Sequence, residues 1–135
     1  PVRASTDIEI QNIRICESVE AAHSNFSDSA KISENLGTRG KPARLDSQCK
    51  YAVVARGQAE AYIRSPAQRS YEEKIWDHAA GMIVAEQAGA TVSDLHGKKL
   101  DFNHGRTLKQ NRGILCVSEE HHTRLADVIS KLDLV

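Results

Sequence analysis

Ile75-Trp76-Asp77-His78-Ala79-Ala80-Gly81-Met82-Ile83-Val84-Ala85 carries the densest signal in the chain, with Gly89-Ala90 closing it. Ile75, Ala79, Met82 and Ile83 lie on one side of a helix, and Gly89 stands in the stop position, so this is the longest periodic segment. An aspartate in the first turn, followed by three tiny residues, has two physical readings. In one, Asp77 caps the helix and the small residues let it pack tightly against a sheet. In the other, the short carboxylate reaches outward to a hard cation such as Mg²⁺, which takes oxygen ligands and phosphate company.

Outward from this helix the chain alternates strands and helices. Upstream, Ile13–Cys16 reads as a strand. Ser27 to Leu36 reads as a helix with Ser27 as N-cap and Gly37 as its stop. A basic loop over 38–42 leads to a short strand at Ala43–Leu45. Asp46-Ser47 then starts a helix from Gln48 to Arg56. Ala59–Arg64 alternates at period two and ends at Ser65-Pro66, as a strand should. Downstream come a strand at Thr91–Ser93, a basic loop over 98–112, a strand at Ile114–Val117, and a helix opened by Ser118-Glu119-Glu120 and running to Leu132. The class is α/β.

Composition limits what such a chain can do. Its 135 residues, 40% of them hydrophobic, suffice for a single domain with a core. Eighteen basic residues balance eighteen acidic ones, which argues against a nucleic-acid or membrane-surface partner. The longest apolar-leaning stretch, Ala79 to Ala85, is far short of the about 20 residues that span a membrane. Three widely spaced cysteines with no CxxC pair suggest a reducing compartment, and with no charged-then-greasy leader the expectation is cytoplasmic. The chain opens on Pro1 and reads as a piece of something longer or a processed product.

The segment Trp76–Ala85 with Gly89-Ala90 resembles the second signature of the inositol monophosphatase superfamily, Mg²⁺-dependent and lithium-sensitive phosphatases. Cys16-Glu17-Ser18-Val19-Glu20-Ala21-Ala22-His23-Ser24, Leu45-Asp46-Ser47-Gln48-Cys49-Lys50-Tyr51, Ala61-Tyr62-Ile63-Arg64, Glu73-Lys74-Ile75-Trp76-Asp77 and Leu100-Asp101-Phe102 with Gly105-Arg106 are similar to the 3′(2′),5′-bisphosphate nucleotidases of the fungal and plant type. The resemblance spans nearly the whole chain but only the carboxyl-terminal half of such an enzyme. It implies the carboxyl-terminal α/β domain of a layered α-β-α-β-α sugar-phosphatase fold. It also implies Mg²⁺ as cofactor and hydrolysis of adenosine 3′,5′-bisphosphate to AMP, and of its sulfated relative, in sulfur assimilation.

Each matched position has a physical case of its own. His23, after a strand, can edge a pocket and stack on a base, or be a solvated loop histidine. Ser47 and Lys50, three apart at a helix start, can converge on an anion, or be a cap and a surface lysine. Arg64 ends a strand, where α/β sheets present ligand groups, although a strand-end arginine is often merely solvated. The resemblance makes His23, Ser47, Lys50 and Arg64 nucleotide-binding and Asp77 a metal ligand close to substrate; Tyr71 is a weaker candidate for closing the pocket. His121 and His122 read as surface residues, the 98–112 loop as solvated, and Cys49 as a buried inert thiol.

The family's other metal-binding segments, an amino-terminal glutamate and an Asp-Pro-x-Asp-Gly-Thr stretch among them, do not occur here. A single carboxylate cannot build a two-metal clamp, so the chain alone is expected to be inactive and to need the amino-terminal half as partner. An inositol phosphate substrate and a non-catalytic nucleotide-binding module stand as the alternatives.

Overall fold

In the computed structural model, which describes residues 1–22 and 24–134, five strands form one mixed sheet. In chain order the elements are β1 (Ile15–Ser18), α1 (Phe26–Leu36), β2 (Ala43–Leu45), α2 (Cys49–Ala55), β3 (Ala61–Arg64), α3 (Ala79–Gln87), β4 (Ala90–Ser93), β5 (Ile114–Ser118) and α4 (Glu119–Ser130). Single 3-10 turns occupy Ile10–Asn12 and Ile75–Asp77. The strand order is β2-β1-β3-β5-β4, with β2, β1 and β3 parallel and β5 antiparallel to both of its neighbours.

Register explains how the sheet separates two cores. Cys16 pairs with Tyr62, Tyr62 with Cys116, and Cys116 with Val92, so these four form one row across β1, β3, β5 and β4. Side chains alternate along a strand, so this row faces one way and Ile15, Ala61, Ile63, Leu115 and Val117 face the other. The first set packs with Tyr51 and Val54 of α2 and Ala85 of α3. The second packs with Ile32 and Leu36 of α1 and Leu125 and Ile129 of α4. The sheet is therefore covered on both faces by unlike helix pairs.

That double cover corrects the reading of Ala59–Arg64 as an alternating strand. The strand is Ala61–Arg64, and all four residues are buried because β3 is central and has no solvent side. Glu60 is buried too, its carboxylate accepting hydrogen bonds from the Arg14 backbone N–H at 2.7 Å and from Arg14 Nε at 3.0 Å. β1 begins two residues later than expected, because Ile13 closes the preceding 3-10 turn.

Helix ends also differ in detail. α1 is capped by Asn25, whose side chain accepts from the N–H groups of Ser27 and Asp28, so Ser27 lies inside the helix. Gly37 ends it in the left-handed region, as expected. The segment from Ile75 is not one helix: it breaks at His78, between the 3-10 turn and α3, where the imidazole turns into the core. The 98–112 loop has no regular structure, yet it is not a solvated strap. Leu100 and Leu108 are buried, Asn111 bonds Asp94 and the Lys99 carbonyl, and Asp94 accepts from the N–H groups of His96 and Lys98. His122 is half-buried and its Nε2 lies 2.7 Å from Ser93 Oγ, so the surface reading fails for it.

The outer faces of the two helix layers are unlike. α1 and α4 turn polar residues outward, whereas α3 (Ala-Ala-Gly-Met-Ile-Val-Ala-Glu-Gln) leaves Ala79, Ala80, Ile83 and Val84 exposed, beside exposed Trp76. A helix apolar on nearly every side is normally a buried one. Among the described residues no helix is long and apolar enough to cross a membrane.

Candidate functional site

The parallel strands β1, β2 and β3 all run out at the same edge of the sheet, and a pocket of about 510 Å³ opens there. Ser18 ends β1, Ser47 follows β2, and Arg64 ends β3; all three line it with Gln48, Cys49, Lys50, Tyr62 and Asp77. Ligands of α/β sheets characteristically sit outside the carboxyl ends of parallel strands. Of the five expected site residues, Ser47, Lys50, Arg64 and Asp77 are thus brought together. The expectation for His23 lies outside the described residues. Tyr71 does not line the pocket; its ring centroid is 5.9 Å from the Arg64 guanidinium carbon.

Lys50 is not a surface lysine. It is 3% exposed, and its Nζ donates to the carbonyls of Ser47 at 2.7 Å and Leu45 at 3.2 Å. The first of these bonds ties Lys50 to Ser47, a non-glycine residue held in the left-handed region at φ 55°. Burial pushes the Lys50 ammonium below its ordinary pKa, and the nearby Arg64 charge pushes the same way. Two cations held together in a partly desolvated pocket favour the entry of an anion, which relieves both penalties. Ser47 does not cap α2 in the ordinary sense: the N-cap position is Gln48, and Ser47 Oγ makes a long 3.4 Å contact with the Cys49 N–H.

Asp77 is half-buried, and its side chain caps neither the 3-10 turn nor α3. No hydrogen bond fixes its carboxylate among the described residues, which removes the capping role. α3 is capped from outside instead: Gln48 Oε1 accepts from the Gly81 N–H at 2.7 Å, while Gln48 Nε2 donates to the Trp76 carbonyl at 3.1 Å. Gln48 thereby clamps the Asp77 turn onto the start of α2. Sequence reasoning passed over this residue, although it stands inside the quoted Leu45–Tyr51 stretch. It also passed over Ser18 and Tyr62.

The small residues of the motif acquire a reason. A Cβ on Gly81 would lie 2.2 Å from Tyr51 Cδ2, so the Tyr51 ring fills the space a side chain would need. That ring stands edge-on to Tyr62, with centroids 5.0 Å apart. Cys49 departs from expectation: it is exposed at the pocket, whereas Cys16 and Cys116 are buried. Burial pushes the Cys16 thiol up to about 12.

Among the described residues lining this pocket, Asp77 is the one carboxylate it offers a cation. Among the described residues no three His, Cys, Asp or Glu side chains converge on a point that would hold a metal ion. Asp77 suits one coordination position of a Mg²⁺-like ion, and the described residues complete no such site.

A mixed sheet covered by helices, with two buried cationic side chains and a half-buried carboxylate at its parallel strand ends, defines an α/β domain with a charged pocket. The chain belongs to the inositol monophosphatase family, whose model matches residues 1–134. It is 40% identical over 124 residues to the 3′(2′),5′-bisphosphate nucleotidase of Emericella nidulans, covering 92% of this chain and 35% of that protein. It is 47% identical over 110 residues to the protein of the same name from Schizosaccharomyces pombe, covering 79% of this chain and 31% of that one. The chain thus spans about a third of the length of these curated relatives. Among solved structures, the inositol monophosphatase of Anabaena superposes with a TM-score of 0.70 at 19% identity, covering 100% of this chain and 52% of that one. The SuhB protein of Bartonella henselae does so with 0.69 at 18%, covering 96% and 46%. At these identities the structural likeness shows the shared fold alone.

The Gly81→Ala variant tests the seat of Tyr51. The added methyl meets the ring at its rigid end and forces it from its place, at an expected cost of about 1–3 kcal/mol. Urea denaturation of the variant and the parent chain measures the difference.

Proposed function

We propose that this chain is the nucleotide-holding carboxyl-terminal part of a Mg²⁺-dependent 3′(2′),5′-bisphosphate nucleotidase. The whole enzyme would hydrolyse the 3′-phosphate of adenosine 3′,5′-bisphosphate to AMP and phosphate. The observation that carries this reading is the convergence of Ser47, Lys50, Arg64 and Asp77 on one pocket, in a chain whose relatives bear that name. Lys50 and Arg64 supply the positive charge that a phosphate ester seeks, Arg64 with a planar fork suited to phosphate oxygens. Asp77 would be one ligand of the cation, and a bound Mg²⁺ would polarise a phosphoryl oxygen and lower the pKa of a water. Its remaining ligands would come from the portion of the enzyme outside this chain.

That portion also explains α3. Its apolar outer face, with Trp76, Ile83 and Val84 each about half exposed or more, is where we place the amino-terminal half. Stacking a second sheet and a further helix layer on α2 and α3 would turn the three layers seen here into the five-layered α-β-α-β-α arrangement.

Two experiments on the full-length protein test the reading. With adenosine 3′,5′-bisphosphate as substrate, Lys50→Ala should raise KM about tenfold, and Asp77→Asn should lower kcat by about a hundredfold or more. Equal turnover of an inositol monophosphate would identify the substrate as a sugar phosphate. No phosphate release from either compound would leave a nucleotide-binding module. Separately, Ile83→Asp should destabilise the full-length protein by about 2–3 kcal/mol in urea denaturation if the face is covered. A change within about 0.5 kcal/mol would show that α3 faces water.

A further inference from the structure

Tyr51, Glu73 and His78 are each 1% exposed, and none of them lines the pocket. A buried carboxylate is expensive, and apolar residues of similar size would be cheaper there. The polar atoms of the three residues nevertheless form one continuous chain. Tyr51 Oη lies 2.8 Å from His78 Nδ1, His78 Nε2 lies 2.9 Å from Glu73 Oε2, and Arg64 Nε donates to Glu73 Oε1 at 2.9 Å.

The donors and acceptors run in a single direction. Burial lifts the Tyr51 phenol well above its ordinary pKa, so it keeps its proton and donates to Nδ1. Burial also pushes the Glu73 carboxyl up, but the hydrogen bond from His78 and the Arg64 charge outweigh it and hold the group ionised. Glu73 is therefore an acceptor only, and Nε2 must carry the imidazole proton. Tyr51 is in turn fixed by the Tyr62 ring and by the absence of a side chain at Gly81. The far end of the chain is the Arg64 guanidinium in the pocket. Its other members adjoin the remaining charges in sequence: Tyr51 follows Lys50, and His78 follows Asp77.

We propose that Tyr51, His78 and Glu73 are positioning residues, a buried hydrogen-bonded chain that aims Arg64 into the pocket to receive the phosphate of the substrate. This rests on the assignment of Arg64 to substrate binding. Without Glu73, the guanidinium loses the acceptor that fixes its Nε edge and samples rotamers that face away from the ligand. The effect falls on binding, because the chain touches no reacting atom.

A double-mutant cycle in the full-length enzyme, with adenosine 3′,5′-bisphosphate as substrate, tests it. Glu73→Gln should raise KM about tenfold while kcat changes less. In an Arg64→Ala background the same substitution should change KM by less than about twofold, since the group it positions is gone. An unchanged KM in Glu73→Gln, or an undiminished increase in the Arg64→Ala background, overturns the proposal. Should Glu73→Gln fail to fold, Tyr51→Phe deletes one hydroxyl and keeps the ring; it should raise KM about threefold, with the same loss of effect in the Arg64→Ala background. An unchanged KM in Arg64→Ala alone would instead refute the binding role of Arg64, a failure distinct from that of the chain.

Discussion

A carboxylate with no access to water is costly unless donors surround it, and Glu73 imposes that demand directly behind the pocket. It takes Arg64 across both of its oxygens and His78 at Oε2, and so it ties the end of a central strand to the junction of a 3-10 turn and a helix. Satisfying His78 then requires Tyr51 on α2, and seating Tyr51 requires glycine at position 81. The same histidine stands where the 3-10 turn gives way to α3, with its backbone at φ −131° and ψ −32°. What looks in sequence like a run of small residues after an aspartate is the packing that lets one buried charge be satisfied.

The pocket depends on this arrangement and on the parallel half of the sheet. β1, β2 and β3 end together, so residues far apart in sequence meet at one edge without long loops to carry them. Lys50 is held by carbonyls at and just beyond the end of β2, Arg64 by Glu73, and the Asp77 turn by Gln48, so scaffold bonds orient the pocket side chains or the segments that bear them. The pocket has cations enough for a phosphate and a single carboxylate for a metal. Together with the exposed apolar face of α3 and the length of the relatives, this is the basis of the proposal that the chain forms one wall of a larger cleft.

Much of this was legible in the sequence, for physical reasons that differ by element. Ile114–Val117 and Ala43–Leu45 are short β-prone runs bounded by turn residues, and both are strands. Gly37 and Gly89 mark helix ends because the backbone there takes positive φ. Ser47, Lys50, Arg64 and Asp77 could be named from local motifs. The hydrogen-bonded chain could not, since Tyr51, Arg64, Glu73 and His78 share no periodicity and meet only through the fold. The Asn25 cap was missed because Ser27, two residues later, is an equally good capping type. The 98–112 loop looked solvated because Leu100 and Leu108, its buried anchors, lie eight residues apart among charges and follow neither strand nor helix spacing.

The protonation of His78 reports most directly on the interaction from which the rest follows. In the full-length protein labelled with ¹⁵N-histidine, long-range proton–nitrogen correlation spectra should show the His78 ring protonated at Nε2 and bare at Nδ1. The signal is identified by its loss in His78→Gln. A ring protonated at Nδ1 would mean that Tyr51 does not donate to it and Glu73 does not receive from it. The buried chain described here would then not exist.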